Sequence, residues 1–201
     1  MPTVLLAPLI STPPAGPLRK SWTRHELEAI ESAGLLHNQD LELIEGELIL
    51  KLGKKRPHTI AVSLLLKYLA SIFSPDHVQQ EAPIDVHPQD NPMSAPEPDL
   101  IVLKLPQTHY RMGNPRSSDL HLVCEVSDST LAFDLSTKAQ LYARAGIMEY
   151  WVLDIPSQRL VVHREADASG YQSIQAYQAL ECVSPLAAPQ AELHVASLFP
   201  G

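Results

Sequence analysis

The stretch CEVSDSTLAFDLSTKAQLYARAG (residues 124–146) joins the end of an apolar segment to a run with helical periodicity. The segment LHLVCEV (residues 120–126), which overlaps the start of this stretch, is almost continuously apolar, and this is typical of a strand buried on both faces of a sheet. Further along, Leu135, Lys138 and Tyr142 recur at helical spacing, and Gly146 closes the run. The apolar segment EYWVLDI then predicts another buried strand. This order of strand, helix and strand predicts an α/β fold.

The segments on either side extend this prediction to a mixed sheet. HVQQEAPIDVH and DLIVLKL predict two earlier strands, and QRLVVHREADASGYQSIQAY predicts a hairpin that turns at DASG. HVASLFP predicts a final segment that docks on the core. RPHTIAVSLLLKYLASIF predicts a long helix. The predicted apolar face of that helix comprises Ile60, Leu64, Leu65, Tyr68, Leu69 and Ile72.

Two shorter elements precede the long helix. SWTRHELEAIESAG places Thr23 three residues before Glu26, the spacing of a capping box, and so predicts a helix. In LELIEGEL, apolar and charged residues alternate on both sides of Glu45 and Gly46, and this pattern indicates a β-hairpin. We therefore expect a mixed β-sheet core flanked by helices, with an N-terminal helix and hairpin additions.

Length and composition indicate one domain. With 201 residues, 45% of them hydrophobic, the chain is long enough for one sizeable core. We expect a flexible arm over residues 1–20 and a single domain over residues 21–201. The N-terminal apolar run contains a proline and follows no positive charge, so neither a signal peptide nor a membrane span is predicted. The two cysteines lack CxxC spacing, which favours a reduced, cytoplasmic setting.

The net charge of -8 argues against a general polyanion binder, so nucleic-acid binding would need a local basic surface. KLGKKRPH provides a dense basic cluster just before the long helix, where the free amides of a helix N-terminus favour anions. The candidates for a phosphate-binding track are Lys51, Lys54, Lys55 and Arg56, with Arg111 and Arg116 in a later loop. The alternative is a solvated basic turn. With 5% aromatic residues, no base-stacking platform is predicted.

Two carboxylates stand at boundaries between loop and strand. Asp99 opens the run DLIVLKL, and Glu125 closes the run Leu122–Cys124. Held close together, they would repel each other unless a cation lay between them. Magnesium commonly takes one or two carboxylates, with waters and phosphate oxygens completing its ligands. The alternative is that each acid caps a turn or pairs with an arginine.

Lys138 shares the helical face that should meet the sheet. One interpretation is a local ion pair with Asp134, four residues earlier, or a lysine extending out of the core. The other has Lys138 reaching Glu125, where its ammonium would orient or help deprotonate an attacking water and stabilise charge on a phosphate.

Several motifs in order resemble one known family. PEPDLIVL, LVCEVSDST, DLSTKAQLYARAGIMEYWVLD and LELIEGEL are similar to the Uma-two family of restriction-type endonucleases, a branch of the PD-(D/E)xK nuclease superfamily. The resemblance runs from about Leu41 to Pro200. It implies a restriction-endonuclease-like fold and hydrolysis of DNA phosphodiester bonds.

The resemblance also implies a set of site residues. Asp99, Glu125 and the backbone carbonyl of Val126 would bind magnesium, with manganese as a substitute, and Lys138 would assist the water. Ser127 stands where the superfamily usually has its lysine, and Lys138 would replace that lysine from the following helix. Glu47 in the hairpin and His58 at the start of the long helix match further positions typical of the family. His58 would then touch the scissile phosphate or a metal-bound water.

Two other functions stay open on the sequence. A nuclease fold that has lost catalysis would act as a binding module, a reading favoured by Ser127 and the acidic composition. A weaker alternative is carbonyl chemistry through a Schiff base at Lys138. Because two-fold pairing is common among restriction-type nucleases, the resemblance also suggests a homodimer, although no residue pattern specifies one.

Overall fold

The computed structural model describes residues 19–36, 39–51 and 55–199. Residues 1–18 of the expected arm, and Lys54 of the basic cluster, lie outside the described residues. The helices are α1 (Arg24–Ser32), α2 (Arg56–Phe73), α3 (Leu131–Phe133) and α4 (Ala139–Arg144), the last two joined by a π-helical turn at Asp134–Lys138. The main strands are β1 (Leu41–Ile44), β2 (Glu47–Leu50), β3 (Val78–Gln80), β4 (Leu100–Leu103), β5 (Leu120–Ser127), β6 (Glu149–Asp154), β7 (Arg159–Asp167) and β8 (Gly170–Gln178).

Six of these strands form one mixed sheet in the order β3-β4-β5-β6-β7-β8. Strands β5 and β6 are parallel, and the helical segment 131–144 connects them, while the other neighbours are antiparallel. The predicted α/β architecture is confirmed. The C-terminal hairpin turns at Asp167–Gly170, within the predicted DASG.

A hydrophobic core lies on each face of this sheet. Leu65 and Leu69 of α2 pack with Trp151 on one face, where Leu198 of the predicted docking segment joins them. On the other face, Tyr142 of α4 packs in the second core. The helices therefore flank the sheet as predicted.

The buried face of α2 differs from the predicted one. Leu65 and Leu69 are buried, but the deepest positions beside them are Ala61 and Val62, and residues such as Leu64 are only partly buried. Small side chains at these positions allow the helix to approach the sheet closely. The predicted strand HVQQEAPIDVH is also shorter than expected, because Pro83 cannot donate to a strand ladder.

The N-terminal additions follow the sequence closely. Thr23 and Glu26 form both hydrogen bonds of the capping box at the start of α1. Strands β1 and β2 form a hairpin whose turn residues, Glu45 and Gly46, have φ values of 50° and 83°. A Cβ on Gly46 would lie 2.7 Å from Met93 Cε, so the hairpin turn packs closely on the neighbouring loop. In the described part of the chain, no helix combines the length and apolarity needed to cross a bilayer.

Candidate active site

A cavity of about 210 Å³ opens between the β1–β2 hairpin, the start of α2, and the helical segment 131–144. Asp99, which directly precedes β4, and Glu125 and Val126 of β5 also line it. The charged or polar side chains that line it include Glu42, His58, Asp99, Glu125, Asp134 and Lys138.

Asp99 and Glu125 meet because their strands are paired. Leu100 of β4 lies opposite Cys124 of β5, and continuing this antiparallel register by one residue sets Asp99 opposite Glu125. The backbone N–H of Val126 donates to Asp99 Oδ2 over 2.8 Å. Both acids therefore lie on neighbouring strands near the same end, as predicted, although β5 continues two residues past Glu125 instead of ending there.

His58 approaches the same carboxylate from α2. Its Nε2 lies 3.4 Å from Asp99 Oδ2, and its side chain is buried. Its Nδ1 is also buried and has no hydrogen-bond partner among the described residues.

Lys138 reaches across the sheet, as its helical position predicted. Its ammonium lies 3.0 Å from Glu125 Oε1 and 2.9 Å from Glu42 Oε1, and the residue is only 4% exposed. Tyr142, one turn later, donates its hydroxyl to the same Glu125 oxygen over 2.9 Å. The ammonium is therefore bonded to two carboxylates from outside its own helix.

The π-helical turn fixes where this lysine stands. Asp134 begins the turn and accepts hydrogen bonds from the hydroxyls of Ser127 and Thr130. The backbone carbonyl of Asp134 accepts a further bond from Tyr150. Ser127, which occupies the usual lysine position, therefore anchors the turn that carries Lys138. Single π turns inside α-helices occur frequently at functional sites.

The cluster holds more carboxylates than ammonium groups. Burial raises the pKa of Glu125 to about 8, although Lys138 opposes the shift. Burial likewise raises the pKa of Asp134, again opposed by Lys138. For Lys138, burial alone would lower the pKa, but Glu125, Glu42 and Asp134 together raise it above its ordinary value. Lys138 is therefore a stable ammonium, and a further cation would favour the ionised form of Glu125.

The donor set suits a magnesium-type cation. Among the described residues, no three His, Cys, Asp or Glu side chains are arranged to hold a metal by themselves. Magnesium needs only one or two carboxylates, since waters and substrate oxygens complete its coordination. Asp99 and Glu125, with the adjacent Val126 carbonyl, fit this requirement.

Comparison with known proteins agrees with this fold. A family model described as "Uma2: Putative restriction endonuclease" matches residues 25–196. The chain belongs to the Uma2 family.

A solved structure, described as a "putative nuclease belonging to DUF820" from Anabaena variabilis, shares the fold of this Uma2 chain. The TM-score is 0.60 at 17% sequence identity, and the match covers 80% of this chain and 90% of the other. Among curated proteins, none matches the chain.

The hairpin of this Uma2 chain contributes a different glutamate from the predicted one. Glu47 is exposed on β2, opposite Ile44, and lies outside the cavity lining. Glu42 of β1 is buried there and bonds to Lys138. The only feature of the sequence that marks Glu42 as a site residue is its charge inside the otherwise apolar run LELI.

Two residues of the basic cluster, Lys51 and Lys55, line the same cavity. Lys51 pairs with Glu97 over 2.7 Å, and Lys55 pairs with Asp128 over 3.2 Å. Arg56 is exposed at the first turn of α2. The loop that carries Arg111 and Arg116 does not line the cavity.

Proposed function

We propose that this Uma2 chain is an endonuclease that hydrolyses DNA phosphodiester bonds with magnesium, or manganese in its place. The observation that carries the proposal is the meeting of Asp99, Glu125 and Lys138 in one cavity. Two carboxylates at neighbouring strands can hold a metal ion that activates water, and a buried ammonium beside them can stabilise charge on a phosphate.

The proposed metal ligands are Asp99, Glu125 and the Val126 carbonyl. A magnesium ion bound there would polarise the phosphate and lower the pKa of a coordinated water. The Val126 N–H holds the Asp99 carboxylate in place, and the Tyr142 hydroxyl does the same for Glu125. These contacts preorganise both acids before a substrate arrives.

Lys138 acts as a cation rather than as a base. Its pKa is raised by the surrounding carboxylates, so it keeps its proton. An ammonium beside the scissile phosphate stabilises the negative charge that develops in the transition state and orients the attacking water. The His58 side chain lines the same cavity and would contact a phosphate oxygen or that water.

The rim supplies the contacts for the DNA backbone. Lys55 and Arg56 stand at the start of α2, Lys51 lines the cavity beside it, and no side chain caps this helix N-terminus. Uncapped amides and nearby cations favour phosphate groups. Although the whole chain carries a charge of -8, this local surface is suited to a polyanion.

The second candidate is a nuclease-fold binding module without catalysis. It is favoured by one observation: Glu125 Oε1 is already bonded to both Lys138 and Tyr142, so a cation must compete for this carboxylate. Such a module would bind DNA without cleaving it.

Cleavage of supercoiled and linear duplex DNA, with and without magnesium or manganese, tests the proposal. We expect metal-dependent nicking that disappears in Lys138→Met and Glu125→Gln, which preserve side-chain volume. Lys67→Met, an exposed lysine on α2, is the matched control and should cleave normally. Calorimetric titration of the metals separates the two candidates, because intact binding of DNA without binding of either metal would leave only the binding module.

A further inference from the structure

The cavity of the candidate active site has an apolar wall beside its charged groups. Ile49 and Leu50 of β2 line it from the hairpin, and Phe133 lines it from α3. Ile49 lies opposite Glu42 in the hairpin register, so these two side chains share one face of the hairpin. Magnesium and phosphate oxygens bind polar partners, so the apolar side chains contribute nothing to holding either. They are suited to another part of a substrate.

This apolar wall is accessible rather than covered. Leu50 is 54% exposed, while Ile49 and Phe133 are half-buried against the second core. Among the described residues, no other ring stacks on Phe133. Accessible apolar side chains that line a cavity with a few charged groups are typical of a binding site for a ligand with an apolar part.

The charged groups lie deep in the cavity. The side chains of Asp99, Glu125 and Lys138 are 13%, 6% and 5% exposed. The cavity volume of about 210 Å³ equals that of roughly seven water molecules. Duplex DNA is stiff, with a persistence length of about 150 base pairs, and does not bend sharply into a cleft of this size. A flexible single strand can turn its backbone inward and deliver a phosphate to these groups.

We propose that the site acts on DNA whose bases are unpaired beside the scissile phosphate, and that Phe133 and Ile49 contact one unstacked base. This inference rests on the proposed nuclease function and names its substrate class. In a duplex each base is stacked on its neighbours, whereas an unpaired base can stack on an aromatic side chain. Such stacking is tolerant of sequence, because every base has a π-face. Lys55 and Arg56, at the start of α2, would hold the adjoining phosphates.

A single ring is sufficient for this contact. The low aromatic content predicted no stacking platform for a run of bases, and Phe133 would engage only one. Negative supercoiling favours strand separation, so nicking of supercoiled DNA agrees with this substrate class. Relaxed linear duplex should be cleaved more slowly.

Fluorescence anisotropy tests the preference with one labelled sequence in three forms: a single strand, a duplex, and a duplex with a central unpaired segment. The full chain carries Glu125→Gln, so that the DNA stays intact. We expect both forms with unpaired bases to bind at least about fivefold more tightly than the duplex. Phe133→Leu removes the ring but keeps an apolar side chain, so it should lose this advantage, whereas Phe133→Tyr should retain it.

Phe73→Leu is the matched control, because it removes another half-buried ring, at the end of α2 and outside the cavity lining. Equal affinity for the three forms of DNA would overturn the proposal, even if no Phe133 variant folds. So would unchanged single-strand binding by folded Phe133→Leu. An equal loss for single strand and duplex would also overturn it, since the ring would then contact deoxyribose rather than a base.

Cleavage of the same three forms by the wild-type chain separates this inference from the nuclease function. We expect faster cleavage wherever bases are unpaired. Equal rates on single strand and duplex would overturn the substrate class and leave the nuclease function standing. Tighter binding of unpaired DNA without cleavage of any form would support the base contact and count against the nuclease function.

Discussion

The Ser127 hydroxyl donates a hydrogen bond to the Asp134 carboxylate, and both groups are buried. Ser127 is two residues after Glu125 on β5, so the two side chains share one face of the sheet. Ser127 stands where the superfamily usually has its catalytic lysine. In this chain Ser127 instead holds the π-helical turn from which Lys138 projects.

This relationship predicts that the lysine can be moved back. Lys138→Met should reduce cleavage about 100-fold or more, because it removes a cation from the reacting phosphate. Adding Ser127→Lys should recover part of the lost rate, since the new ammonium would lie on the same face as Glu125. Single-turnover cleavage assays measure both variants. If the double variant stays natively folded by circular dichroism but recovers nothing, Lys138 does more than supply a charge.

Glu42 should influence the site through Lys138. Glu42→Gln removes one of the two carboxylates bonded to the ammonium, so Lys138 would interact more strongly with Glu125 and compete with the metal. We expect metal affinity to fall about 10-fold, the effect of losing a residue that orients a ligand. Isothermal titration of manganese measures it. Glu47→Gln changes an exposed glutamate of the same hairpin and should bind normally; equal losses in the two variants would contradict the assignment.

The basic rim should contribute a salt-dependent part of DNA affinity. Lys55→Ala and Arg56→Ala should each weaken binding for all sequences alike and lower the slope of log affinity against log salt by about one. Fluorescence anisotropy with a catalytically silent variant such as Glu125→Gln gives the slope. Lys67→Ala lies away from the cavity and serves as the control. Unchanged slopes for both rim variants would mean that DNA lies elsewhere.

The capping box of α1 should contribute measurable stability. Thr23→Ala removes the hydroxyl that accepts from the Glu26 N–H, which should cost about 1 kcal/mol of unfolding free energy. Urea denaturation measures the loss. Ser63→Ala, at an exposed position inside α2, should cost much less. A similar loss in both variants would show that the cap contributes nothing special.

Local sequence patterns predicted much of this fold. The hairpin turn at Glu45 and Gly46, the capping box at Thr23, and the buried strands each rest on chemistry within a few residues. The sheet-facing side of Lys138 was also predicted from helical spacing, although the π-helical turn over Asp134–Lys138 was not. Such features need no knowledge of distant contacts.

Some features that depend on distant contacts were not predicted. Glu42 is buried because Lys138, far along the chain, neutralises it, and a hairpin pattern alone does not contain that information. The depth of Ala61 in α2 depends on how closely the helix approaches the sheet. The role of Ser127 became visible only with its partner Asp134.

The π-helical turn has a consequence for how insertions and deletions would act on this chain. One extra residue in a helix rotates everything after it by about 100°. A deletion of one residue within Asp134–Lys138 would restore regular α-helical winding. It would also turn the buried face of α4 away from the sheet. The length of this short segment is thus as much a determinant of the site as the identity of its lysine, and homologous chains should be compared by both.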